Sequence, residues 1–186
     1  MRAVSGPEIG RSLEGAWRLF RNRPDGIDLL DRSIDGFWRS FWAILLVLPI
    51  DAISLLALSR IAVQPPFGEA FAERLPVLAL DWVAFPILLA CIAKPLGVTK
   101  RYVTYVVARN WAAPISWVIV TIPLLLQGAG FMGDELAVIA TIAALMVAVR
   151  YHYLIMRIAL GVTLEIAIAL VVVDLVISFL IVASAS

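Results

Sequence analysis

The sequence has almost none of the residues that build metal and redox sites. Cys91 is the only cysteine and His152 the only histidine among 186 residues. One cysteine cannot form an intrachain disulfide or a cysteine metal cluster, and zinc and haem sites rely mainly on cysteine and histidine ligands. We therefore expect no metal centre and no cofactor.

Recognisable catalytic motifs are missing as well. The chain has no Gly-x-Ser-x-Gly nucleophile elbow, no His-Glu-x-x-His, no phosphate-binding loop and no Gly-x-Gly-x-x-Gly after a strand. Charged residues make up only 16% of the chain, and the formal net charge is +1. We expect neither enzyme activity nor a nucleic-acid partner.

What the sequence has in abundance is apolar residues, at 62% of the chain with a mean hydropathy of +0.97. Soluble domains contain roughly 45 to 50%, and a helix that crosses a bilayer needs about 20 mostly apolar residues. Five segments meet that need, near residues 41–59, 75–94, 102–126, 136–156 and 164–183. This pattern predicts an all-α, polytopic membrane protein with a cytoplasmic amphipathic arm (residues 1–37) and a five-helix transmembrane domain (residues 38–186).

The basic residues are sorted to one side of this arrangement. Thirteen of the fifteen Lys and Arg residues fall on the side of the N-terminus when the five segments alternate, and only Arg60 and Arg74 fall opposite. Because loops rich in Lys and Arg stay in the cytoplasm, we expect a cytoplasmic N-terminus and a C-terminus across the membrane. A bacterial inner membrane is the expected location.

The arm is predicted to begin with a basic amphipathic helix. Ser5 and Glu8 have the spacing of a capping box, and apolar residues recur at helical spacing up to Pro24. Such a helix is typical of a membrane surface, where arginines meet anionic lipids, although docking on another protein remains an alternative. The residues expected to contact the surface are Arg11, Trp17, Arg18, Phe20 and Arg21.

A second amphipathic piece follows the first. Asp28 with Arg32, and Asp35 with Arg39, have the i,i+4 spacing that supports a helix. We expect this piece to run into the first transmembrane segment without a break.

Polar side chains inside the apolar segments are the best candidates for function, because they are expensive in a bilayer. Asp51 and Asp174 are expected near the midplane, Asp81 lies somewhat off it, and Asn110 belongs to the third segment. These acids either form a proton relay or cation site, or they hold helices or a partner subunit together. We expect no basic residue at their depth.

Prolines inside the segments indicate further polar points. Each proline lacks an amide hydrogen and leaves the carbonyl four residues earlier without its helical partner. Pro86 frees the carbonyl of Trp82, next to Asp81, and Pro114 frees that of Asn110. Both are secondary candidates for polar sites.

The plan of an N-terminal arm followed by five closely spaced helices resembles the Ypt-interacting (Yip) family. The resemblance covers the topology of residues 38–183. The family's Asp-Leu-Tyr-Gly-Pro signature has no match, and Asp28-Leu29-Leu30-Asp31 is the nearest string. The resemblance implies a role in organising membranes or as an adaptor, and no functional residue is carried over.

Two functions remain open. The first is a non-catalytic organiser or accessory subunit of a larger membrane complex, with lipid and other membrane-protein subunits as partners. The alternative is a small transporter or proton-coupled permease that uses Asp51, Asp81 and Asp174. A transporter needs at least two of these acids on one hydrated cavity.

The odd number of segments gives a direct prediction. Reporters fused to the two ends should lie on opposite sides of the membrane, with the N-terminal reporter in the cytoplasm. Reporter activity in both compartments measures this, and two ends on the same side would contradict the five-segment arrangement.

Overall fold

A computed structural model describes residues 4–184 of the chain, which form helices and short connections without a β-strand among them. The α-helices are α1 (Gly6–Phe20), α2 (Ile34–Ser40), α3 (Ile44–Leu58), α4 (Phe67–Ile92), α5 (Tyr102–Gly128), α6 (Asp134–Ile155) and α7 (Leu164–Ser184). A 3₁₀ turn, Phe41–Ala43, joins α2 to α3, and a π turn, Met156–Leu160, extends α6. The all-α class is confirmed.

Five helical stretches are long and apolar enough to cross a membrane, as the sequence predicts. They are Ile34–Leu58, Phe67–Ile92, Thr99–Gly128, Asp134–Leu160 and Leu164–Ser184. Each includes the corresponding apolar segment or nearly all of it. The ends of the chain that enter the predicted domain limits, residues 1–3 with Arg2 and residues 185–186, lie outside the described residues.

Helix α5 is the centre of the bundle. It packs against α1, α2, α3 and α6, and its buried residues include Tyr105, Val106 and Trp111. Helix α7 lies on α4 and α6. Large apolar side chains on the outer faces of α6 and α7 are exposed, as expected of helices that face lipid.

The arm helix α1 lies on α5 and α6. Its inner face carries Ser12, Gly15, Ala16 and Leu19, all buried. The hydroxyl of Tyr151 in α6 donates a 2.6 Å hydrogen bond to the Ala16 carbonyl. The arm is therefore anchored to the bundle at a buried polar contact.

The predicted capping box is wrong, although α1 begins where it was expected. Ser5 is the N-cap residue but its side chain makes no capping hydrogen bond. Glu8 instead pairs with Arg39 of α2, Nε to Oε1 at 2.8 Å, and the same guanidinium contacts Asp31. The Glu8–Arg39 ion pair thus takes the place of the predicted Ser5–Glu8 capping box. Arg39 does not pair with Asp35, although the i,i+4 spacing of the two residues suggested that it would.

The second amphipathic piece is not a single helix, although its last part runs into the first apolar segment without a break, within the stretch Ile34–Leu58. The chain forms a 3₁₀ turn at Pro24–Leu29 and starts again at α2, where Ser33 caps the helix by accepting a hydrogen bond from the Gly36 amide. The Ser33 amide donates to Asp31 Oδ1 at 3.0 Å, and hydrogen bonds from Ser33 hold the pKa of Asp31 below its usual range. Short polar side chains favour such local turns over a continuing helix.

The arm folds back on itself through a close approach between two of its glycines. A Cβ atom added to Gly15 would lie 2.7 Å from the Gly26 carbonyl oxygen, whereas one added to Gly10 meets nothing within 4 Å. Gly15 and Gly26 are both buried. The 3₁₀ turn therefore packs directly on the α1 backbone.

We predict that Gly15→Ala loosens the arm by about 1 to 3 kcal/mol, the usual penalty for overpacking. Hydrogen–deuterium exchange of the α1 amides should become faster. Gly10→Ala is the matched control in the same helix, where alanine should slow exchange through its better helix propensity, about 1 kcal/mol. Equal exchange in the two variants would contradict the close packing.

Candidate functional site

Arg109, in α5, occupies the polar centre of the bundle. Pro86 leaves the Trp82 carbonyl of α4 without its helical donor, and Arg109 Nη1 donates to that oxygen at 3.2 Å. Its Nη2 donates to the Asp81 carbonyl at 3.4 Å. The carbonyl that the sequence marked as free is thus bound by a guanidinium.

Asp174 supplies the charge that balances Arg109. It is buried at the eleventh of the 21 residues of α7, and its Oδ1 lies 3.6 Å from Arg109 Nη2. His152 of α6 approaches from the other side, with Nδ1 3.5 Å from Asp174 Oδ2. The three side chains join α5, α6 and α7 in one acid–base cluster.

Asp51 has a basic partner too. Its Oδ1 lies 3.0 Å from Arg74 Nη2, and the Asp51 side chain is almost fully buried. Arg74 belongs to α4, which begins at Phe67, so its long side chain reaches along the bundle toward α3. The expectation that no basic residue lies at the depth of the aspartates is therefore wrong for both Asp51 and Asp174.

Two side-chain hydrogen bonds complete a set of links between the helices. Asp81 Oδ1 of α4 accepts a 2.5 Å hydrogen bond from Ser178 of α7. Asn110 of α5 donates to Ser40 of α2 at 2.9 Å. Every one of the five long stretches thus contributes a polar group to a contact with another stretch.

Two cavities lie beside these polar residues. The first, about 390 Å³, lies near the α3–α4 loop and is lined by Asp51, Arg74, Glu73 and Gln64 with apolar neighbours. We name it the loop-side cavity. The second, the central cavity, measures about 240 Å³. Its polar lining consists of Asp81, Trp82, Arg109, Ser116 and His152.

The two cavities meet at a shared wall. Leu78, Asp81 and Trp117 line both of them. Asp51 and Asp81 therefore face one cavity, and Asp81 also faces the cavity that holds His152. Asp174 stands behind Arg109 and His152 and lines neither.

Several buried polar atoms around the central cavity have no hydrogen-bond partner among the described residues. They include Trp82 Nε1, Arg109 Nε and Ser116 Oγ. Buried polar groups are normally satisfied, and the first two are donors only. Three residues that line the central cavity therefore each carry a buried polar atom that is not satisfied within the described residues.

The residues expected at the membrane surface are spread over the outer side of the arm. Arg11 and Arg21 are exposed, and Trp17 is 44% exposed. Arg18 pairs with Glu14 at 2.8 Å and Asp25 at 2.9 Å, and the hydrogen bond to Glu14 raises the Arg18 pKa. Phe20 is half-buried against Tyr151, with ring centroids 5.2 Å apart. Their contact with lipid stays a prediction.

Sequence reasoning missed Arg109, Arg74 and His152 as members of the site. Counting charges assigns an arginine near a segment end to the adjoining loop, and so Arg109 and Arg74 were placed outside. One signal was present: Arg109 lies one residue before Asn110 and inside the apolar third segment. A long side chain at that position is expected to turn into the bundle.

No protein-family model matches the chain, and no significant match is found among curated proteins or solved structures. The resemblance to the Yip family therefore stays a prediction. The function has to be argued from the site alone.

We predict that Asp174→Asn destabilises the protein by about 3 to 5 kcal/mol, because it leaves the Arg109 guanidinium buried without its counter-charge. Asp28→Asn is the control, since Asp28 pairs with Arg32 at 3.7 Å while 76% exposed, and exposed pairs contribute about 0 to 1 kcal/mol. Thermal unfolding in detergent compares the variants. Similar losses in both would contradict the assigned importance of the Arg109–Asp174 pair.

Proposed function

We propose that the chain is an integral membrane protein that works as a small proton-coupled transporter, with Asp81 as the group that takes up and releases the proton. One observation carries the proposal: Asp81 belongs to the wall shared by the loop-side and central cavities. A carboxyl group placed there lies between the two cavities. This is the position that a coupling acid requires.

The surroundings of Asp81 support this role. Ser178 donates one hydrogen bond to Asp81 Oδ1. Asp51 and Asp174, in contrast, each lie beside an arginine. Each of these arginines engages its carboxylate as a counter-charge. Asp81 forms no ion pair with Lys or Arg among the described residues, although the Arg109 guanidinium interacts with it electrostatically. In this proposal Asp81 is the acid that exchanges the proton. Asp51 and Asp174 then serve to orient Arg74 and Arg109.

The proposal includes an orientation. Removing Arg74 and Arg109 from the charge count leaves the excess of basic residues on the arm's side intact, so the arm lies in the cytoplasm and the α3–α4 loop outside. The loop-side cavity then receives protons from the outer compartment. A bacterial inner membrane provides the proton gradient such a transporter uses.

A second function, the organiser or accessory subunit, is favoured by a different observation. Trp17, Trp38 and Trp42 are between 44% and 50% exposed along one end of the bundle. Tryptophan at that level suits a membrane interface and is also common in protein contacts. A partner subunit docked on this aromatic surface is the alternative to lipid.

We predict that Asp81→Asn abolishes coupled proton movement, because asparagine keeps an acceptor for Ser178 but cannot carry the proton. Proteoliposomes with a trapped pH dye would be given small monocarboxylates, amines or sugars outside, under an imposed pH gradient. Solute-driven acidification should fall at least about tenfold, as expected when an acid–base group is removed. Asp35→Asn, at an exposed position in α2, should leave it unchanged.

Equal acidification in wild type and Asp81→Asn would contradict the transport proposal. If no solute drives acidification, and the tagged chain leaves its native membrane only with stoichiometric partner subunits, the accessory role replaces it.

A further inference from the structure

The central cavity lies between two side chains that can carry a proton. Asp81 of α4 and His152 of α6 both line it, and both are partly exposed rather than buried. The cavity measures about 240 Å³, and one water molecule needs about 10 to 15 Å³ of such volume. Water molecules between the two side chains can therefore carry a proton from one to the other.

Asp174 orients the His152 ring for this exchange. Nδ1 of His152 lies 3.5 Å from Asp174 Oδ2, and a carboxylate beside one ring nitrogen fixes the hydrogen on that nitrogen. Nε2 is then the nitrogen that gains or loses a proton. Because the His152 side chain is 31% exposed and lines the cavity, the ring is accessible to water there.

The two groups lie toward opposite ends of the bundle. Asp81 belongs to the wall shared with the loop-side cavity. His152 lies three residues before the end of α6, next to Tyr151, whose hydroxyl binds the arm at Ala16. A proton that passes from Asp81 to His152 therefore moves away from the loop-side cavity and toward the arm.

Charge balance favours one proton on the pair. Arg109 of α5 and Asp174 of α7 form an ion pair, and Tyr105 of α5, which interacts electrostatically with both, is uncharged near neutral pH. Asp81 and His152 are left to balance each other. Two protons on them give the cluster a positive charge and no proton gives it a negative charge, and either charge is costly among apolar helices.

From this arrangement we propose that His152 is the second proton-carrying group of the transporter. At rest the proton is on His152, because imidazole is a stronger base than a carboxylate, and ionised Asp81 balances it. When Asp81 takes a proton from the loop-side cavity, the cluster gains a positive charge, and His152 releases its proton toward the arm. The proton on Asp81 then moves through the cavity to Nε2 of His152 and restores the resting state. The inference rests on the proposed transport function and adds a residue to it.

The first test measures the protonation of His152 by nuclear magnetic resonance. His152 is the only histidine, so the full-length protein, labelled with ¹⁵N-histidine and purified into nanodiscs through a histidine-free tag, gives the ring-nitrogen signals of one residue. At pH 7 we expect a protonated ring in wild type. Removing a unit charge about 10 Å away changes proton binding about tenfold at an effective dielectric constant of about 20. In Asp81→Asn, which resembles the protonated acid, the protonated fraction of His152 should therefore fall at least about twofold.

A variant of His152 separates proton transfer from packing. Glu73→Gln is the matched control for the signals, because Glu73 lines the loop-side cavity and not the central one, and it should leave the ring as in wild type. In His152→Asn the amide nitrogen lies near the position of Nδ1, so the contact with Asp174 is kept while no proton can be carried. Solute-driven acidification should fall at least about tenfold, whereas a role limited to joining α6 to α7 predicts the wild-type rate. If His152→Asn does not fold, the ring signals of wild type and Asp81→Asn carry the test.

The outcomes distinguish this inference from the transport proposal. Three results overturn the role of His152 even if acidification still depends on Asp81: a neutral ring in wild type at pH 7, an unchanged ring signal in Asp81→Asn, or full acidification in His152→Asn. A protonated ring that responds to Asp81→Asn, in a protein for which no solute drives acidification, overturns transport alone.

Discussion

A guanidinium among apolar helices has to be neutralised and hydrogen-bonded, because an unpaired buried charge is far more costly than any single packing contact. Arg109 meets this requirement through groups from α4 and α7 together: the carbonyl that Pro86 leaves free, the neighbouring Asp81 carbonyl and the Asp174 carboxylate. These contacts fix where α4 and α7 lie relative to α5. Pro86, Arg109 and Asp174 therefore act together, and the positions of both cavities depend on them.

The arm is tied to the same bundle by a separate set of contacts. The buried face of α1, the Tyr151–Ala16 hydrogen bond and the Glu8–Arg39 pair hold it against α2, α5 and α6. An apolar stripe on a basic helix suits lipid and protein equally well, and here its innermost residues, such as Leu19, are covered by protein. The outer, charged side with Arg11 and Arg21 remains available to a membrane surface. Docking and lipid contact are thus properties of opposite sides of one helix.

Hydropathy was enough to predict the five long helices, because a 20-residue apolar run has few alternatives to spanning a bilayer. It also identified Asp51, Asp81, Asp174 and the carbonyl freed by Pro86 as polar groups that need hydrogen-bond partners. Hydropathy could not predict which residues are the partners of these groups. Asp81 and Ser178 are 97 residues apart and Glu8 and Arg39 are 31 apart, and no local period reports such pairs. Charge counting misplaced Arg109 and Arg74, because it treats a long side chain as if its charge stayed at the Cα position.

The distribution of satisfied and unsatisfied groups bears on which function the site performs. Contacts that serve assembly alone are expected to be complete, since a partly satisfied network is less stable than an apolar one of the same volume. The contact between Tyr151 and Ala16 is of that kind, with a 2.6 Å hydrogen bond in buried surroundings. Trp82, Ser116 and Arg109 differ, because their unpartnered donors belong to residues that line one cavity whose wall also holds Asp81. A bundle built only for assembly would gain stability if apolar groups replaced these donors, and the three residues that carry them all line the central cavity.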